Sequence, residues 1–319
     1  MKNRDSIVVR IARAFQKIPL GPFEFIERVY VSNKCDVVGH DIDMIVLLAA
    51  PRSGSTLSYQ CFIEATNVIG LTNISNLFFR IPFLSLMLQL IVCRKKKGKF
   101  LSNEGYVGGF CGASEGLMFW GKWTSSPIDE RDTVSDFNNI SYFKKVVSYV
   151  NYKTKRPLMS GYLGHVLNDS VLYREFANVR FVVLLRNPMD TALSLLNLRI
   201  SNPDEWLSVF PRECEHVVRS DVYEQVAAQI YWTNRRLLNV IKKYKSPVLH
   251  YEKLCSNPNE AIGRVVAELS ESGSNVCVKS ELPIKFGMRK SDPDTEAYIE
   301  LKRRFEVLES RYGRLEFPC

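Results

Sequence analysis

Residues Met44 to Ala50, MIVLLAA, form an unbroken apolar run, and PRSGST follows at 51–56. A run of that length without polar alternation is what a strand buried on both faces of a parallel sheet requires. The pattern after the turn predicts a helix from about Ser55 to Thr66. Strand, glycine-bearing turn and helix together present backbone N–H groups and the positive end of a helix to an anion such as phosphate. Gly54 allows close backbone approach, Ser55 and Thr56 add hydroxyl donors, and Arg52 adds a permanent charge. No Lys-Ser/Thr pair follows the glycine, so the loop is not a Walker A sequence. Metal-assisted transfer from a nucleoside triphosphate normally uses that lysine. A plain strand-to-helix turn with an exposed arginine is the competing reading.

Strand and helix patterns then alternate along the chain. Further strands are expected at Phe181–Leu185 and Val248–Tyr251. Helices are expected over 76–93, 116–123, 188–200, 221–244, 257–269 and 295–312. Another is expected from a cap at Asp136 to Tyr152, with Phe137, Ile140, Phe143, Val147 and Val150 on one side. The alternation predicts an α/β fold: a P-loop-type, mainly parallel sheet flanked by helices. No repeat or low-complexity linker interrupts it. A single domain over 1–319 is expected, with a helical insertion at about 74–155 and a C-terminal helix at about 295–312.

A second motif narrows the chemistry. FVVLLRNPMDTALS, residues 181–194, places Arg186 at a strand end and Ser194 on the next helix. An arginine and a hydroxyl converging from those elements can hold one phosphate by charge-assisted hydrogen bonds. Asp190 and Ser194, four apart, share a helix face. In the opposing reading Arg186 is a surface residue and Ser194 a small buried one.

With both motifs in this order, the chain resembles the sulfotransferases that use 3′-phosphoadenosine 5′-phosphosulfate (PAPS) as donor. Pro51 to Thr56 match that family's 5′-phosphosulfate loop, and Arg186 with Ser194 match its 3′-phosphate motif. The segment His250-Tyr251-Glu252-Lys253-Leu254 resembles its Tyr-Glu-Asp/Glu-Leu segment. The resemblance covers residues 43–270. The arginine in the first loop, and the lack of an Arg-Lys-Gly segment, set the chain nearer the carbohydrate, protein-tyrosine and bacterial branches than the cytosolic small-molecule branch.

The resemblance implies roles. The N–H groups of Ser53, Gly54, Ser55, Thr56 and Leu57 would cradle the phosphosulfate, with Arg52 at the bridging oxygen. Arg186 and Ser194 would grip the 3′-phosphate. Tyr251 would lie near the nucleotide, though a core tyrosine fits equally well. No metal is implied. The general base is open, because Thr72-Asn73 stand where the tyrosine-sulfating branch has a glutamate. Glu115, in the stretch from Ser102 and Glu104 to Trp120, is the first candidate; its competing role is to cap or solvate a helix. His165 is the reserve.

The expected reaction moves a sulfuryl group to an acceptor hydroxyl, with a glycan or glycolipid as the favoured acceptor. A nucleotide phosphotransferase and a non-catalytic nucleotide-binding protein at a membrane surface are the alternatives. The net charge of +9 suits anionic partners in general. No nucleic-acid-recognition motif accompanies it, so nucleic acid is not expected.

Eight cysteines follow no disulfide or metal spacing. That pattern suggests a reducing compartment, most simply the cytoplasm. The most apolar stretch, IPFLSLMLQLIVC at 81–93, is too short to span a bilayer. Arg94, Lys95, Lys96, Lys97 and Lys99 follow it. The segment 76–99 therefore reads either as a buried core helix or as a helix resting on an anionic membrane surface, peripheral at its inner face.

Overall fold

The structure, a computed structural model, describes residues 20–38, 42–94, 100–101, 105–132, 137–202, 205–288 and 290–318. Asp136, Lys95, Lys96, Lys97, Lys99, Ser102 and Glu104 lie outside the described residues, as does the side chain of Phe137.

The strands are β1 (Met44–Ala49), β2 (Ile69–Gly70), β3 (Leu158–Ser160), β4 (Val179–Leu185) and β5 (Val248–His250). They form one sheet in the order β2-β3-β1-β4-β5, and all four pairings are parallel. The apolar run at 44–50 is the central strand, and every residue of β1 is buried. From β1 the chain crosses to the edge strand β2, returns through β3 beside β1, and then passes to β4 and β5 on the other side. The sheet thus changes winding direction beside β1, where open α/β sheets place their ligands, at the carboxyl ends of the strands.

In chain order the α-helices are α1 (Gly21–Val38), α2 (Ser55–Ala65), α3 (Asn73–Leu77), α4 (Pro82–Val92), α5 (Leu117–Thr124) and α6 (Phe137–Thr154). They continue with α7 (Asp169–Glu175), α8 (Pro188–Ile200), α9 (Val222–Tyr244), α10 (Tyr251–Ser256), α11 (Pro258–Glu271) and α12 (Glu296–Tyr312). Asp221 caps α9 through Glu224 N, and Thr295 caps α12 through Tyr298 N, as the local sequence predicts. On α6, Ile140, Phe143, Val147 and Val150 are buried, so the 3.6-residue pattern there reads correctly.

Three features differ from expectation. The single helix expected over 76–93 is two, because Pro82 cannot donate a backbone hydrogen bond within a helix and instead starts α4. Helix α1 turns Glu27 and Val31 inward while Phe25 and Ile26 face out. Glu27 accepts hydrogen bonds from Leu84 N in the first turn of α4 and from the Tyr142 hydroxyl on α6, each at 2.8 Å. Burial pushes its carboxyl above the ordinary range. Third, Cys93 and Cys111 are joined in a disulfide across a Cα–Cα distance of 5.4 Å. Their spacing carries no local signal; the pairing exists because the end of α4 packs beside the loop at 105–116. The cysteines therefore no longer argue for a reducing compartment.

Helix α4 is neither wholly core nor wholly exposed. Phe83 and Leu86 are buried, whereas Leu84, Leu88, Ile91 and Val92 face outward. Among the described residues, no helix is long and apolar enough to cross a membrane.

Candidate active site

The loop after β1 is shaped by its own backbone. Arg52 has φ 64° and Gly54 has φ 96°, both in the left-handed region. Ser53 donates its amide and its hydroxyl to Ala50 O, at 3.2 and 2.7 Å. These bonds fold the loop back so that Gly54 directly precedes α2 and the helix amino end opens into a cleft. Gly54 is required twice over: its φ is costly for any other residue, and a Cβ would fall 2.2 Å from Tyr251 Cε2.

Register explains how Tyr251 comes to be there. Ala49 pairs with Leu184 across β1 and β4, and Leu185 pairs with His250 across β4 and β5. The next residues along, Arg186 and Tyr251, therefore emerge side by side at the strand ends, next to the first loop. The Arg186 guanidinium carbon lies 4.6 Å from the centre of the Tyr251 ring, and Arg186 Nη1 donates to Arg52 O at 3.1 Å. Asn187 caps α8 by accepting from Met189 N and Asp190 N, so the helix starts immediately after the strand. Ser194, two turns along, then reaches the same cleft, where its Oγ accepts from Arg52 Nε at 3.4 Å. Asp190 borders the same cleft beside Ser194, and its Oδ1 accepts from Ser291 N at 2.8 Å, which tethers the segment before α12.

Glu115 arrives from the opposite wall. Its Oε1 accepts from Ser55 Oγ and from Thr56 Oγ1, each at 3.2 Å, at the amino end of α2. Burial pushes its carboxyl above the ordinary range, opposed by the Thr56 and Ser55 hydrogen bonds and by the Arg52 charge. The loop carrying it is held by Asn73, whose side-chain nitrogen donates to Val107 O and Gly109 O, each at 2.8 Å. A bridge between Thr72 and Ala113 adds to this anchorage. Thr72 and Asn73, which stand where a glutamate was sought, thus position the segment that delivers one.

Two adjoining cavities, of about 700 and 900 Å³, share Arg52, Arg186, Ser194 and Tyr251. The first also contains Gly54, Ser55, Thr56, Leu57 and Glu115, with Leu163, Leu198 and Leu207 as an apolar end. Two arginines, three hydroxyls and a helix amino end facing one cleft suit a ligand with two separated anionic groups. A buried carboxyl beside them can exchange a proton with a neighbouring hydroxyl.

A family model described as the sulfotransferase domain matches residues 42–272, which hold β1 to β5 and every residue of this cleft named so far except Ser291. The chain belongs to the sulfotransferase family. Three solved structures are similar to this sulfotransferase. Sulfotransferase STF9 from Mycobacterium avium aligns over 90% of this chain and 73% of its own, at 14% identity and a TM-score of 0.50. The sulfotransferase domain from the curacin biosynthetic pathway aligns over 88% of this chain and 94% of its own, at 13% identity and a TM-score of 0.40. A sulfotransferase from Alicyclobacillus acidocaldarius aligns over 86% of this chain and 97% of its own, at 14% identity and a TM-score of 0.41. No curated protein matches in sequence. Of the readings the sequence left open, the family match supports the PAPS-dependent sulfotransferase.

The residues fit this sulfotransferase's donor in kind: a glycine where no side chain fits, hydroxyls at a helix amino end, and a second arginine–serine pair across the cleft. Two expected site residues take other places. Ser53 is 1% exposed and bonded to Ala50 by both its polar groups, so it shapes the loop from behind. His165 is fully buried between the Trp120 and Tyr162 rings, at centroid distances of 5.5 and 5.1 Å. Its Nδ1 meets Ser126 Oγ at 3.1 Å, and burial pushes its pKa down to about 3. A histidine without solvent access, outside the lining of the cleft, is a core residue and leaves the list of bases.

Proposed function

We propose that this sulfotransferase transfers the sulfuryl group of PAPS to a hydroxyl of a carbohydrate or glycolipid, with Glu115 as general base. The observation carrying the proposal is Glu115 Oε1 within 3.2 Å of both Ser55 and Thr56, in the cavity that also holds Arg52, Arg186 and Ser194. In the transfer the acceptor oxygen bonds to sulfur, and the sulfur–oxygen bond to the 5′-phosphate breaks. The bonding pair stays on the phosphate oxygen, where the Arg52 charge stabilises it, and the acceptor proton passes to Glu115. Arg186 and Ser194 take the 3′-phosphate, the group that separates this donor from ordinary adenine nucleotides. Tyr251, pressed on Gly54 and under Arg186, fixes the distance between the two anion subsites.

The Arg52 loop is similar to the carbohydrate, protein-tyrosine and bacterial branches alike, and the sugar hydroxyl is the acceptor taken from the first of them. Radiolabelled PAPS offered with oligosaccharides, glycolipids and tyrosine peptides is the test. Labelling of the peptides alone would overturn the carbohydrate reading. Replacing Glu115 by Gln should slow transfer by about 10²–10⁴ at saturating donor.

A membrane-borne acceptor is favoured by one observation, the outward-facing Leu84, Leu88, Ile91 and Val92 of α4, which end at the exposed Arg94. Such a face, followed in sequence by four lysines within five residues, suits the inner, anionic face of a bilayer. Co-sedimentation with anionic liposomes at low salt, lost at high salt, is the expected result. Absence of pelleting at low salt would defeat it.

A further inference from the structure

Glu115 has a second relationship to the donor, opposite in sign to its service as a base. A side-chain hydroxyl has one proton to donate. The Ser55 hydroxyl donates to Glu115 Oε1 at 3.2 Å, and the Thr56 hydroxyl lies at 3.2 Å from the same oxygen with Gly105 O, at 3.5 Å, as its more distant alternative. Those hydroxyls lie at the amino end of α2, the point to which an anion is drawn by the helix dipole and free N–H groups. The chain's own carboxyl therefore holds the ground that the donor's phosphosulfate end needs.

We propose that Glu115 is an internal competitor of the donor: PAPS takes the Ser55 and Thr56 hydroxyls from it, and only the carboxyl so released can turn to the acceptor. The proposal rests on the donor and base assignments above and adds an order to them, donor first.

Geometry supports a movement confined to the side chain. The backbone around Glu115 is anchored, because Ser114 N donates to Leu71 O at 2.9 Å and Ala113 bridges to Thr72. The carboxyl borders the same cavity as Leu163, Leu198 and Leu207, so rotation about its own bonds carries it from the loop toward the apolar end. Electrostatics acts in the same direction. An ionised carboxyl in a buried position is repelled by an incoming multiply charged anion. Among the described residues, Arg52 from the loop and Tyr59 from α2 act on Glu115, and Arg186 at the end of β4 lines the same cavity as a second cation. When donor oxygens engage Arg52, that compensation is shared and the ionised carboxyl is pushed away from the loop.

The consequence is an affinity that rises when Glu115 is removed, the reverse of what a donor-binding residue shows. Calorimetric titration of the full chain with 3′-phosphoadenosine 5′-phosphate, which binds without reacting, reads it directly. Glu115→Ala is expected to bind about tenfold more tightly than wild type, since it frees hydrogen bonds to a charged group. Wild-type affinity is expected to fall as pH rises above the ordinary carboxylate range and through the raised carboxyl pKa. The ligand's own phosphate titrates in both proteins, so the comparison with the variant isolates Glu115. If Glu115→Ala does not fold, Glu115→Gln carries the test, because it too must lose the wild-type pH slope. Equal or weaker binding with parallel pH profiles would overturn the competition. Transfer rate at saturating PAPS reads the base assignment separately. A near-native rate for Glu115→Gln removes Glu115 as base and leaves the competition intact, whereas unchanged affinity does the reverse.

Discussion

The Tyr251 ring closes on Gly54 so tightly that a Cβ at Gly54 would stand 2.2 Å from Cε2 and 2.4 Å from Cδ2. The glycine of the donor loop is thus fixed by a residue of the same protein from a strand end almost two hundred positions later. The contact ties the loop after β1 to the end of β4, since Arg186 covers the same ring.

Gly54→Ala should therefore fail on its own account, before any ligand is added. Left-handed backbone and overpacking each cost about 1–3 kcal/mol, so the melting temperature should drop measurably. Adding Tyr251→Ala should recover the overpacking part and leave the backbone part. A double variant no more stable than Gly54→Ala would show that the ring contact carries no weight.

Arg186→Ala should lower affinity for 3′-phosphoadenosine 5′-phosphate by about 1.5–3 kcal/mol, the worth of a hydrogen bond to a charged group. Adenosine 5′-phosphosulfate, which has no 3′-phosphate, should lose much less. Equal losses for the two ligands would move Arg186 away from the 3′-phosphate and make its bond to Arg52 O its main function.

Arg52→Ala should reduce kcat more than it raises the KM for donor, because the leaving phosphate gains charge as the sulfur–oxygen bond breaks. The Ser194 hydroxyl, which accepts from Arg52 Nε, would lose this partner, giving a small KM effect in addition. A pure KM effect would confine Arg52 to ground-state binding.

Stability should carry the mark of Glu115 as pH changes. Burial raises its carboxyl above the ordinary 4.5, so the folded protein holds that proton more tightly than the unfolded chain does. The resulting stability is whole below about 4.5 and is lost as pH rises through the raised value. Glu115→Gln has no proton to lose. Its urea midpoint should therefore gain on wild type between pH 4.5 and 8, and a constant difference across that range would refute the shift. Glu27, raised by the same cause, titrates in both proteins and cancels.

Cys111→Ser should cost about 3 kcal/mol, the entropy of closing a loop comparable to the 18-residue separation of Cys93 and Cys111. Wild type treated with a dithiol reductant should melt where the variant does. Unchanged melting under reductant would show that the crosslink contributes nothing.

Where signals were local, the sequence was sufficient. MIVLLAA with PRSGST gave the central strand, the loop and α2, because burial on both faces and a sharp turn leave marks in adjacent residues. Arg186 and Ser194 follow from one strand end and one helix period. The termini of α9 and α12 follow from Asp221 and Thr295, since a cap lies beside the helix it starts. Strands β2 and β3, of two and three residues, carry no period and were not read, although the equally short β5 was.

The rest required the chain to be folded, since it depends on pairs far apart in sequence. Glu115 reaches Ser55 across 60 positions, and Arg186 reaches Arg52 across 134. His165 and Glu115 were both plausible bases as residue types; burial in an aromatic core excludes one, and a place on the cleft wall retains the other. The Cys93–Cys111 bond and the inward Glu27 of α1 are equally invisible locally. Hydrophobic period and turn chemistry are written into neighbouring residues, so sequence alone determined β1, β4, β5, the loop after β1 and the arginine–serine pair. Which carboxyl meets the loop, and which ring seals the glycine, was decided only by tertiary packing, because distance and desolvation do not exist until the strands are side by side.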